Sequence, residues 1–196
     1  MEAIISLFPD KSTARKSAEK LRDAAHANLA EIAKISLTTS GLEFLGPDLA
    51  GKTVSGFLPY RSEIDVTGLL AALAKKGCRT CLPVVTGKAR PLLFRQWQVG
   101  DQTEPGAWNI PAPLQSAPIV APDVLLVPLL AFDKFGFRLG YGGGFYDRTI
   151  ESLAKKQKII TIGVAYSGQQ VTTVPRDKHD QKLDWILTEK GPAKCG

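Results

Sequence analysis

Apolar positions fall along this chain in two rhythms. In "DVLLVPLLAF", residues 123–132, they run almost unbroken, the pattern of a strand covered on both faces. "RTCLPVV" (79–85), "PLLFRQW" (91–97) and "IITIGVAY" (159–166) read as further strands. "TVSGFLPY" (53–60) reads as a short strand ending at Pro59, and "DWILTEKG" (184–191) as the last strand. Elsewhere the composition is helical. "PDKSTARKSAEKLRDAAHANLAEIAKIS" (9–36) is rich in Ala, Lys, Glu and Leu behind a Pro9-Asp10 start. "VTGLLAALAKKG" (66–77) has an apolar side, lysines in its last turn and a terminating glycine. "FYDRTIESLAKKQK" (145–158) fits a third helix. Residues 100–118, with Pro105, Pro111, Pro113 and Pro118, read as irregular. A helix followed by strands alternating with helices predicts one α/β domain over residues 1–196. Its architecture is a three-layer α/β/α sandwich around a largely parallel, Rossmann-like sheet.

Composition narrows the function class. At 44% apolar over 196 residues the chain can bury a real core, which excludes a disordered chain. No apolar run approaches the roughly 18 residues of a membrane-spanning helix. "MEAIISLFPDKSTARK" lacks a basic segment ahead of its apolar stretch, so no secretory signal is expected and the expected compartment is the cytoplasm. The net charge is +6, but "ARKSAEKLR" and "AKKQK" read as solvated helix faces rather than a nucleic-acid patch. The expected partners are anionic small molecules, drawn by a modest positive field; neither nucleic acid nor membrane is expected, and the protein is read as a monomer. Cys78 and Cys81 form a C-x-x-C, yet "GCRTCLPVV" reads as the entry to a buried strand, where cysteine acts as a small apolar residue.

The densest chemistry lies in "RLGYGGGFYDR", residues 138–148. Gly140, Gly142, Gly143 and Gly144 follow a buried strand and precede a helix. Glycine there permits dihedrals closed to other residues and lets main-chain N–H groups approach an anion at a helix start. Arg138 and Arg148 bracket the loop with guanidinium groups suited to phosphate. Asp133 and Asp147 are hard oxygen donors of the kind Mg²⁺ takes. The spacing is neither a Walker A sequence nor G-x-G-x-x-G, since Phe145 stands where the third glycine would fall. On spacing alone, a strand-to-helix turn that merely needs glycine is the competing reading.

"VLLVPLLAFDKFGFRLGYGGGFYDR" resembles the defining segment of the 5-formyltetrahydrofolate cyclo-ligase family. "FLPYRSEID", "CLPVV", "WNIPAP" and "VPRDKHDQKLDWILTE" resemble further family segments in the right order. Lys11 and Arg15 in "KSTAR" match the family's lysine and arginine four residues apart, a spacing that shares one helix face. Four positions depart from the family pattern: Leu129 for a glycine, Val66 for a threonine, Ala112 for a polar residue and Ala14 for a leucine.

The resemblance implies ATP- and Mg²⁺-dependent closure of 5-formyltetrahydrofolate to 5,10-methenyltetrahydrofolate, with ADP and phosphate released. It implies ATP binding by Lys11, Arg15, Arg138, Leu139, Gly140, Tyr141, Gly142, Gly143, Gly144, Phe145 and Tyr146. Folate would face Arg15, Leu58, Glu63, Trp108, Tyr141, Gly142, Gly143, Gly144 and Phe145. Asp147 and Asp180 would hold Mg²⁺, and Arg148 and Lys11 would act on the reacting groups. Bland readings stand beside these: Leu58 as a core residue, Glu63 as a helix-start acid, Trp108 as a plug for the irregular segment, His179 as either a partner of Asp180 or a surface residue. An ATP-dependent paralogue with another formylated or amino substrate, and a non-catalytic folate or nucleotide binder, remain the alternative functions.

Overall fold

The computed structural model describes residues 10–45 and 49–196. The expected Pro9 helix start lies outside them, but Asp10 accepts the Thr13 N–H at 2.9 Å, as a capping carboxylate does. Helix α1 (Lys11–Leu45) runs past Ser36, where the sequence reading ended it. Hydroxyl side chains such as those of "LTTS" can compete with a helix for its backbone groups. Instead Thr38, Thr39 and Ser40 each donate to the carbonyl four residues back, so their hydroxyls do not compete with the helix. Leu37, Gly41 and Leu45 continue the buried stripe. Gly41 is required by close packing: a Cβ there would lie 2.8 Å from Leu69 of α2 (Thr67–Lys75).

The central sheet has seven strands in the order β11-β10-β9-β6-β1-β2-β3. These are β1 (Thr53–Ser55), β2 (Arg79–Val84), β3 (Leu93–Gln96), β6 (Val124–Pro128), β9 (Ile160–Val164), β10 (Trp185–Thr188) and β11 (Gly191–Lys194). Its inner pairs are parallel, and β3 and β11 close the two edges antiparallel. Alternation along β6 explains the three layers. Val124 and Leu126 pack with α1 and α2, whereas Leu125 and Val127 face Ile150 of α3 (Phe145–Ala154).

Several boundaries differ from the sequence reading. The first strand stops at Ser55, not Pro59, and residues beyond Gly56 leave the sheet. The apolar run 123–132 splits after Pro128. Its far end, β7 (Ala131–Phe132), pairs with β8 (Arg138–Leu139) in a separate ribbon. Residues 100–118 contain a small hairpin, β4 (Thr103–Pro105) with β5 (Pro111–Pro113), joined through a short 3₁₀ turn at Ala107–Asn109. Strand β11 went unread because "GPAK" is an exposed edge with no apolar alternation.

Leu129, read from sequence as a departure from the glycine that the resemblance implies, is 2% exposed and packs against Gly163. A Cβ on Gly163 would come within 2.8 Å of the Leu129 side chain, so the departure is absorbed in the α3 layer. Cys78 and Cys81 are buried, each placing Sγ against a backbone carbonyl, of Leu49 and Val54 respectively. No described helix is long and apolar enough to cross a membrane.

Candidate active site

From β1 the chain crosses through α2 to β2 on one side, then returns to β6 on the other. The reversal leaves a crevice at the carboxyl ends of the strands, where open α/β sheets take their ligands. A cavity of about 1130 Å³ opens there. Its floor is formed by residues at or just past the carboxyl ends of β1, β2 and β6: Phe57 and Leu58, Leu82 to Val85, and Pro128. Apart from Asp133, every residue the sequence singled out for nucleotide, folate or metal lines this one cavity, from Lys11 and Arg15 to Asp180. Leu58 is half-buried against the core and also forms part of the cavity wall.

The glycine loop enters from β8 and ends at the start of α3. Gly142 and Gly144 have φ of +99° and +63°, the left-handed region that favours glycine. Gly144 stands at the helix start, so the first N–H groups of α3 open toward the cavity. Arg15 reaches across from α1, donating Nε to the Gly140 carbonyl at 2.9 Å, and its guanidinium lies where a Gly142 side chain would begin. Arg148 donates to the Gly143 carbonyl, while its buried Nε has no partner among the described residues. The Tyr146 hydroxyl is likewise buried and unpartnered there, and burial drives its phenol upward from the ordinary value. Leu139 turns into the core with Ala14 and Ala18. Trp108 is 60% exposed at the rim, edge-on to Phe145 at 5.6 Å.

At the cavity's other end the charges interlock. Arg138 donates to Asp147 Oδ1 and to the Gln181 carbonyl, both at 2.7 Å. The Gln181 N–H also reaches Asp147 Oδ1. Lys11 Nζ lies 2.7 Å from both Asp177 and Asp180. Partial burial opposes the Lys11 charge, but the hydrogen bonds it donates to Asp177 and Asp180 outweigh it and hold the ammonium above its usual value. Among the described residues no hydrogen bond reaches Asp147 Oδ2 or Asp180 Oδ1. Asp133, read with Asp147 as a metal donor, is instead a turn anchor. It is fully buried and accepts the N–H groups of Phe135, Phe137 and Val174. The His179 side chain is exposed; its backbone N–H, not its ring, holds the Asp177 carboxylate.

Glu63 is not the helix-start acid of α2, because Asp65 fills that role by accepting the Thr67 N–H. Glu63 is 6% exposed and accepts the Tyr60 N–H. Burial lifts its carboxyl to about 7, against the pull of that N–H, of Arg22 and of Tyr141. Burial and the Glu63 charge in turn raise Tyr141 to about 12.

Sequence reasoning missed Asp177, Tyr60, Arg61 and Glu19, which also line the cavity. Arg22 was missed too, although a trace existed: it is the charged member of an otherwise small, apolar stripe at Ala14, Ala18 and Arg22.

The 5-formyltetrahydrofolate cyclo-ligase family profile matches residues 12–189. A 5-formyltetrahydrofolate cyclo-ligase of Mycolicibacterium smegmatis is 35% identical over 152 residues, 74% of this chain and 77% of that protein. One from Haemophilus influenzae is 32% identical over 178 residues, covering 88% and 94%. Among solved structures, a 5,10-methenyltetrahydrofolate synthetase from Mycoplasma pneumoniae superposes with a TM-score of 0.71 at 25% identity, covering 92% of this chain and 99% of that one.

Proposed function

The chain belongs to the 5-formyltetrahydrofolate cyclo-ligase family, and from that premise we propose that it closes 5-formyltetrahydrofolate to 5,10-methenyltetrahydrofolate at the expense of ATP. The observation that carries this reading is the union, in one cavity, of a glycine loop at a helix start and an apolar floor flanked by a buried carboxylate. The described residues act as a single cyclo-ligase domain.

The chemical problem is an amide-like formyl group, a poor electrophile. Its oxygen attacks the γ-phosphorus and ADP leaves, giving an iminium phosphate. N10 of the same folate then bonds to the activated carbon, its proton is lost, and the carbon–oxygen bond breaks to release phosphate. Positioning and charge compensation supply most of the acceleration in such transfers. The loop amides of residues 140–144 and the start of α3 cradle the phosphates. Lys11 and Arg148 offset the charge that develops on the γ-phosphoryl group, and Arg15 ties the loop to α1. Glu63 accepts from the N–H donors of the pterin, Leu58 and Phe145 supply apolar walls, and Trp108 covers the rim.

The two carboxylates fit a magnesium ion. Asp147 and Asp180 each keep one oxygen clear of protein hydrogen bonds, and two carboxylates completed by phosphate and water are how Mg²⁺ is commonly held. The ion would neutralise phosphate charge there. Among the described residues no cluster of three or more ligating side chains offers an all-protein cage.

Given 5-formyltetrahydrofolate, ATP and Mg²⁺, the purified protein is expected to produce the near-ultraviolet absorbance of the methenyl product, with one phosphate per product. Consumption of ATP with another substrate while 5-formyltetrahydrofolate stays intact would reject the proposal.

A further inference from the structure

We infer that Arg22 is a positioning residue for the folate side of the cavity, holding Glu63 and Tyr141 from behind in the arrangement they present to substrate. The inference rests on the cyclo-ligase reading for what the cavity binds, but its geometry stands independently.

Arg22 is 1% exposed on the inner face of α1 and does not line the cavity. Its donors go to two separate segments. Nη1 donates to the Tyr141 hydroxyl at 2.5 Å, and Nε to Ser62 Oγ at 3.1 Å. Nη1 also lies 3.8 Å from Glu63 Oε1, and the guanidinium sits 5.4 Å from the Tyr141 ring centroid. Ser62 in turn bonds Asp23, one residue along α1 from Arg22. One buried side chain therefore braces the glycine loop against the turn that carries Glu63. A rigid fork with several donors can do this; a lysine ammonium, a single point charge, cannot hold the same geometry.

The arrangement is more than a strut, because Arg22, after the Tyr60 N–H, favours the charged form of Glu63 against burial. Burial disfavours the Glu63 carboxylate, and the groups facing it are few. They are Arg22 on α1, with Asp23 behind Ser62; the Tyr60 N–H, with Arg61 beside it on Glu63's own turn; Tyr141 on the loop; and Tyr146 on α3. Arg22 is the buried cation of that set. Removing a partner from a buried pair leaves the remaining charge uncompensated, which favours its neutral form. Glu63 would then hold its proton across neutral pH and no longer act as a two-oxygen acceptor.

Three variants separate this from a purely structural role: Arg22→Met, Arg22→Lys and Glu63→Gln. The first readout needs no substrate: the ¹³C carboxyl titration of Glu63, assigned by its loss in Glu63→Gln. Arg22→Met is expected to move that midpoint up by about one pH unit, and Arg22→Lys to leave it near its wild-type position. The second readout is kinetic. Arg22→Met should raise the KM for 5-formyltetrahydrofolate about tenfold while the KM for ATP changes less than about twofold. On the Glu63→Gln background the same replacement should add less than about twofold. An unmoved Glu63 midpoint, or equal rises in both KM values, would overturn the inference. If Arg22→Met does not fold, Arg22→Lys decides: a displaced midpoint, or an ATP KM rising as much as the folate KM, overturns it. Absence of any turnover in the wild type would remove the cyclo-ligase reading, and the Glu63 titration would still settle whether Arg22 governs that carboxylate.

Discussion

At the scale of single residues, the buried carboxylate Glu63 makes a prediction about stability. In the folded chain it keeps its proton up to about pH 7, against an ordinary value of 4.5. The folded state therefore binds more protons than the unfolded chain between those limits. Its contribution is fully present below the unfolded value, is lost as pH rises through the window, and is absent above about 7. Two and a half units correspond to about 3 kcal/mol. Denaturant titrations at several pH values should show this decline in the wild type, and Glu63→Gln should remove it; an equal decline in the variant would assign it to another group. Asp147→Asn tests the metal reading. The Mg²⁺ needed for half-maximal turnover is expected to rise roughly 10- to 100-fold, with partial rescue at high Mg²⁺. Unchanged metal dependence would take Asp147 out of the site. The placement of the contiguous segment Gly140 to Asp147 at one cavity was legible from sequence, because its glycines, aromatics and acid lie side by side in the chain. Arg22 was not, because its partner Tyr141 lies 119 positions away and nothing local marks the pairing.

At the scale of elements, the parallel centre of the sheet was legible because strands buried on both faces read as unbroken apolar runs. What failed were features decided by tertiary context. The run 123–132 looked like one strand, yet it divides at Pro128 because its second half pairs with β8. Helix α1 outlasted its expected end because α2 packs onto Gly41. Edge strand β11 carries no apolar alternation at all. Two glycine substitutions contrast packing with ligand binding. Gly163→Ala would press into Leu129, Leu183 and Ile186, so a loss of about 1–3 kcal/mol is expected by urea titration, with both KM values unchanged. Gly142→Ala would force a left-handed residue against the Arg15 guanidinium. The strain, about 1–2 kcal/mol, should appear as roughly a tenfold rise in the KM for ATP. A Gly142→Ala enzyme with wild-type nucleotide affinity would mean that the loop only turns the chain.

At the scale of the whole molecule, the topological reversal between β1 and β6 puts the glycine loop, both charge clusters and the apolar floor around one cavity. The cavity is lined by the cations Lys11, Arg15 and Arg148, contributed by α1 and α3, toward which the two proposed anionic substrates would be drawn. The central claim is that nucleotide and folate meet there closely enough for the formyl oxygen to take the phosphoryl group. The most direct test uses 5-formyltetrahydrofolate labelled with ¹⁸O in its formyl group, turned over with unlabelled ATP. The account predicts that the released inorganic phosphate carries the label, one atom per methenyl product. Unlabelled phosphate formed alongside the methenyl product would contradict it, since the formyl oxygen would then have left by another route.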